Sequence, residues 1–206
     1  MSLEDAEFEV CRILSRIGAI KFGTFRLTSG KLSPYYIDLR IVPSFPDVFR
    51  QVCQLYVDFI RKRLGKDSFD RVAGIPTAGI PFASVIAYNI EKPFLYVRKN
   101  VKRHGRERRI EGVLAPGDRV LLIDDLITTG SSLKRAADAI RAEGGVVQDA
   151  VVLLDREEGG AEALAKHGIR LHSILKVSSV ARRLHELGVI TEEQLKTILS
   201  QMEKQG

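Results

Sequence analysis

VLLIDDLITTGSSL, residues 120–133, is the stretch on which the fold turns. Val120, Leu121, Leu122 and Ile123 are uninterrupted apolar residues, which reads as a strand buried on both faces. The strand ends in an acid pair, Asp124-Asp125, and Leu126, Ile127, Thr128, Thr129, Gly130, Ser131 and Ser132 follow before a helical pattern begins. Backbone N–H groups at a helix start, opened by a glycine and flanked by hydroxyls, form an anion site suited to a phosphate monoester. The loop has no lysine and not the spacing GxxxxGK[ST], which argues against nucleoside triphosphate hydrolysis. Two carboxylates beside a phosphate cradle repel an anion unless they face something else, and sugar hydroxyls or a magnesium ion satisfy them. Phosphate at one end and a diol at the other describes a ribose 5-phosphate. The alternative is a solvated strand end before an ordinary N-cap turn. The acid pair directly before the loop favours the ligand site.

Outward from this stretch the same rhythm repeats. RVAGI, PFLYV, VVQDAVVLL and RLHSIL are further short apolar runs, alternating with helical patterns near 79–90, 131–143 and 158–167. Strands separated by crossover helices predict a mainly parallel, doubly wound α/β sheet. On the amino side, residues 4–17 place Phe8, Cys11, Ile13, Leu14 and Ile17 at helical intervals. FGTFRLTSGKLSPYYIDLR then reads as two short strands around a Ser29-Gly30 turn. A helix over 46–64 has Pro46 in its first turn and Gly65 beyond its end. Helices over 178–188 and 191–203 close a chain read as one α/β domain of 206 residues with an N-terminal extension.

Lys and Arg number 32 against 26 Asp and Glu, a net charge of +6. Arg98, Lys99, Lys102, Arg103, Arg106, Arg108 and Arg109 stand against Glu107 alone, so residues 98–109 carry that whole excess. The segment contains no aromatic residue to stack on a base, which argues against nucleic acid as the partner. Cations closing over a departing pyrophosphate explain the charge better. Lys102 and His104 are placed to deliver a proton to a leaving oxygen. No run approaches the roughly 18 apolar residues of a membrane span. The acidic N-terminus lacks the layout of a secretory signal. Cys11 and Cys53 read as buried free thiols in a cytoplasmic protein. The four histidines show no metal-ligand spacing.

Residues 124–132 resemble the phosphoribosyl pyrophosphate motif of the type I phosphoribosyltransferases, in which the acid pair binds the ribose hydroxyls and the loop the 5-phosphate. RKxxKxHG, residues 98–105, resembles in particular the catalytic loop of the orotate phosphoribosyltransferases. Residues 24–37 are similar to that family's hood over the base. Thr128 matches its orotate-contacting loop position, and Arg156 the arginine that pairs with orotate. A guanidinium offers a planar carboxylate a bidentate fork. The resemblance implies one phosphoribosyltransferase domain, a hood over 18–45 and a mobile catalytic loop over 98–112. It implies transfer of a phosphoribosyl group from phosphoribosyl pyrophosphate to orotate, in pyrimidine biosynthesis. Catalysis falls to Lys102, His104, Asp124 and Asp125, with Arg98 and Lys99 joining them on the phosphoribosyl pyrophosphate. Magnesium is implied as the cofactor, held mainly through the substrate. A homodimer with shared active sites is implied as the assembly. The length leaves no room for a fused decarboxylase. Two departures stand out: Thr77 and Thr28 occupy positions where the family often has lysine. The backbone amides of 77–79 are then expected to meet the pyrophosphate. Two rivals are a transferase acting on a purine or uracil, and a nucleic-acid-binding regulator that keeps the pocket.

Overall fold

The computed structural model describes residues 3–26, 32–98 and 109–203. Helix α1 (Leu3–Arg16) opens with Glu4 and Asp5 and leads into a hairpin of β1 (Ile20–Arg26) and β2 (Leu32–Ile37). The two strands pair antiparallel, Ile20 opposite Ile37 and Arg26 opposite Leu32. The Ser29-Gly30 turn expected between them lies outside the described residues. A short 3-10 helix, Leu39–Ser44, absent from the sequence reading, joins the hairpin to α2 (Pro46–Arg63). Pro46 starts α2 with its fixed φ, and Arg61, Lys62 and Arg63 face the negative end of its dipole.

The remaining elements build the main sheet: β3 (Arg71–Gly74), α3 (Gly79–Asn89), β4 (Phe94–Val97), β5 (Ile110–Glu111), β6 (Arg119–Ile127), α4 (Ser131–Ala142), β7 (Val146–Asp155), α5 (Gly160–Ala165) and β8 (Arg170–Lys176). Helices α6 (Val177–Glu186) and α7 (Glu192–Glu203) follow. The strand order is β5-β4-β3-β6-β7-β8, parallel throughout except for β5 against β4. Successive residues of β6 serve opposite faces. Leu121 and Ile123 pack with α1, α2, α3 and α6, whereas Val120 and Leu122 pack with α4 and α5. The uninterrupted apolar run is thus the signature of a strand covered on both sides.

Two boundaries differ from the sequence reading. Strand β6 does not stop at the acid pair, because β7 continues beside it: Asp124 lies opposite Val152 and Ile127 opposite Asp155. Residues 110 and 111, expected inside the mobile loop, form β5, with Ile110 opposite Val97 and Glu111 opposite Tyr96. The backbone N–H of Arg98 donates to the Arg109 carbonyl at 2.8 Å, closing the base of that segment. Chain connectivity leaves β3 toward β4 on one side and proceeds from β6 toward β7 and β8 on the other. The crevice beyond the carboxyl ends of β3 and β6 is therefore the switch point where such sheets bind ligands.

Candidate active site

A cleft of about 240 Å³ sits at this switch point. Pro76, Thr77 and Ala78 line one side, and Asp124, Asp125, Leu126, Ile127, Thr128, Thr129, Gly130, Ser131 and Ser132 the other. The structure thus brings together all nine motif residues and the turn after β3. Gly130 makes the loop possible. Its φ of +74° suits the turn into α4, and a Cβ there lies 3.2 Å from the Gly160 carbonyl oxygen and 3.3 Å from Leu164. The first helical bond follows at once, from the Lys134 N–H to the Gly130 carbonyl at 3.0 Å. The Thr129 and Ser131 hydroxyls lie 3.0 Å apart across the mouth of the helix.

The turn on the opposite side leads directly into α3. A Cβ on Gly79 falls 2.7 Å from the Ile123 carbonyl oxygen and 2.8 Å from Asp124 Oδ1. Only glycine lets α3 begin this close to β6. The Gly79 N–H donates to the Ile75 carbonyl at 3.0 Å. Of the three amides expected to meet pyrophosphate, this one is turned into its own loop, and Thr77 and Ala78 remain.

Both acids are nearly buried, Asp124 at 7% and Asp125 at 8% exposure. Burial pushes the Asp125 carboxyl above the usual carboxylate range. The Asp125 N–H donates to Asp124 Oδ1 at 3.0 Å. Beneath the pair, the hydroxyl of the fully buried Tyr56 on α2 donates to the Asp124 carbonyl at 2.6 Å. The sequence reading placed a helix over 46–64 and singled out no role for Tyr56. A phenol among Val52, Cys53, Leu55 and Val57 was the available signal, since a buried hydroxyl needs an acceptor.

Arg98 and Arg109 line a smaller adjoining cleft with Pro76 and Ser132, and Arg98 is ion-paired with Glu111. Lys99, Lys102 and His104 lie outside the described residues, as do Thr28, Arg103, Arg106 and Arg108. Arg156 stands beside the main cleft rather than in its lining. Its backbone N–H donates to the Ile127 carbonyl at 3.0 Å, and its guanidinium pairs with Glu158 at 2.7 Å. The hood reaches the same place: the ring centroid of Tyr35 is 5.2 Å from Arg156 Cζ. Among the described residues, Arg156 Nε is a buried side-chain donor without a hydrogen-bond partner. A roomier cleft of about 720 Å³ involves Lys134, Asp155, Glu157, Glu162, Lys166 and Lys176. Its acids and lysines offset one another, and it lacks an acid pair next to an anion loop.

Residues 46–174 match the phosphoribosyl transferase domain. A curated protein of Cenarchaeum symbiosum named orotate phosphoribosyltransferase is 44% identical over 181 residues, 88% of this chain and 90% of that one. The solved orotate phosphoribosyltransferase of Aeropyrum pernix superposes with a TM-score of 0.73 at 32% identity, covering 87% of this chain and 99% of that one. The solved UMP synthase of Leishmania donovani gives a TM-score of 0.84 at 33% identity, covering 97% of this chain and 42% of that one. An acid pair on a glycine-opened phosphate loop, on this sheet and with these relatives, places the chain in the phosphoribosyltransferase family, among the orotate phosphoribosyltransferases.

Proposed function

We propose that the chain transfers the 5-phosphoribosyl group from phosphoribosyl pyrophosphate to a ring nitrogen of orotate. The products are orotidine 5-monophosphate and pyrophosphate, in pyrimidine biosynthesis. The observation that carries this reading is Arg156, whose backbone is bonded to Ile127 within the phosphate motif and whose buried Nε–H has no acceptor among the described residues. An orotate carboxylate supplies a charged acceptor to the guanidinium, which uracil or a purine lacks.

Asp124 and Asp125 hold the ribose hydroxyls and offset the positive charge that grows on the sugar as the glycosidic bond to pyrophosphate loosens. The amides and hydroxyls from Leu126 to Ser132 bind the 5-phosphate, with Thr128 also facing the base. Arg98, Lys99, Lys102 and His104 take the leaving group, with His104 or Lys102 giving it a proton. The residues present fit magnesium carried by the substrate. Asp124 and Asp125 are hard oxygen donors beside the phosphate loop. Bound there, the ion neutralises pyrophosphate charge.

The assembly is a homodimer with shared active sites, a reading supported by the family resemblance. The setting is the cytoplasm, supported by Cys11 and Cys53, unpaired thiols whose pKa burial raises to about 12. No helix among the described residues is long and apolar enough to cross a membrane. Turnover with phosphoribosyl pyrophosphate and orotate, uracil, hypoxanthine or adenine tests the assignment. Orotate is expected to react alone or far ahead of the others; activity confined to a purine refutes it.

A further inference from the structure

We propose that Glu158 is a positioning residue for Arg156, fixing its guanidinium where the acceptor's carboxylate arrives. The inference rests on the reading of Arg156 given above. Three acids flank the arginine, and two are committed elsewhere. Asp155 Oδ1 accepts the Glu157 N–H at 2.8 Å. Glu157, held at a φ of +57°, accepts the Ser178 N–H at 2.8 Å and its hydroxyl at 3.1 Å, at the start of α6. Glu158 alone turns to Arg156, with Oε1 2.7 Å from a terminal guanidinium nitrogen.

The same oxygen accepts from the Tyr35 hydroxyl at 3.4 Å, so Glu158 ties the arginine to the hood. Tyr35 covers one guanidinium face, and is itself anchored by Ser33, whose hydroxyl donates to the Tyr35 carbonyl at 2.7 Å. The arginine is therefore held by an ion pair at one nitrogen, an aromatic ring over its plane and a backbone bond to Ile127. Its side chain is only 14% exposed and that of Glu158 only 21%, so water does little to loosen the pair. Of the donors left over, Nε–H is buried and has no acceptor among the described residues. A long, flexible cation is thereby converted into a donor that loses little freedom on meeting a planar carboxylate.

The test compares Glu158→Ala, Glu158→Gln and Arg156→Gln in the full chain, measuring kcat, both KM values and the thermal midpoint. Glu158→Ala is expected to raise the KM for orotate about tenfold, with far less change in the KM for phosphoribosyl pyrophosphate. Glu158→Gln, whose amide oxygen still accepts from the guanidinium, is expected to recover most of that loss. Arg156→Gln is expected to exceed both, raising the KM for orotate on the order of a hundredfold. If Arg156→Gln leaves the orotate KM unaltered, the acceptor reading falls and this inference with it. If Arg156→Gln weakens orotate and Glu158→Ala does not, the positioning role is overturned and the acceptor reading stands. Equal rises in both KM values with a lowered midpoint also overturn it, because a merely structural role predicts that pattern.

Discussion

Strand β6 is preceded by Asp118, opens on Arg119 and carries Asp124 and Asp125 near its other end, and the two ends treat their carboxylates in opposite ways. At the amino end, Arg119 meets Asp70 with side-chain bonds of 2.8 and 3.0 Å and a backbone N–H bond of 2.8 Å. Asp118 is ion-paired with Arg71 and accepts the Ala115 N–H at 2.6 Å. Adjacent strands thus exchange an aspartate and an arginine in each direction. The arginine hydrogen bonds hold both carboxyls below the usual range. At the carboxyl end, burial dominates and pushes Asp125 up. Asp155, at the end of β7, is pushed up for the same reason. One end of the sheet pairs its carboxylates with arginines, and the other holds them buried at the cleft, where the proposed function puts the sugar.

The largest expected effect comes from removing the charge at the ligand end. Asp125→Asn should lower kcat/KM on the order of a hundredfold or more. In the same variant, free of substrate, the thermal midpoint should rise by roughly 2–4 °C, since a desolvated carboxylate is relieved. A lowered midpoint breaks the comparison. Next in size, Asp118→Asn should lower the midpoint by about 2 °C and leave kcat/KM within about twofold. An activity loss there as great as at Asp125 means that the two ends are not separate in purpose.

The smallest effect is one of pH, and its sign follows from the raised Asp125 pKa. Above the folded pKa the group is charged in both states, and the folded state bears the full desolvation penalty. Below the ordinary value of about 3.9 it is protonated in both states and the penalty is gone. The midpoint advantage of Asp125→Asn should therefore be greatest near neutrality and shrink as pH falls through the folded pKa. Asp70 and Asp118 run the other way. Their contribution is present above the ordinary carboxylate range and lost as pH falls through their lowered values. Thermal unfolding of the wild type and both asparagine variants from neutral pH down to about pH 2 reads both trends, the Asp125→Asn gain and the Asp118→Asn deficit each shrinking on acidification. A gap that widens on acidification contradicts the assigned cause.

The sequence made the strand, the acid pair and the glycine loop legible because they are consecutive residues with local chemistry. The double-faced core was legible for the same reason, since an unbroken apolar strand needs cover on both sides. The extent of β6 was not, because its last residues are set by pairing with β7. The Glu158–Tyr35 contact was equally hidden, joining positions 123 residues apart. Tyr56 reaches Asp124 across 68 residues. Such contacts leave no periodicity, only a polar atom that must find a partner somewhere. The loop chemistry assigned to Lys102 and His104 stands on pattern and resemblance, as those residues lie outside the described structure.

Gly79 has a consequence for which sequences this fold accepts. Where α3 meets β6, the first turn of the helix stands so close to the strand that even one methyl group collides with Ile123 and Asp124. Any side chain at position 79 has to push α3 away from the strand that carries the acid pair, so the position is closed to substitution.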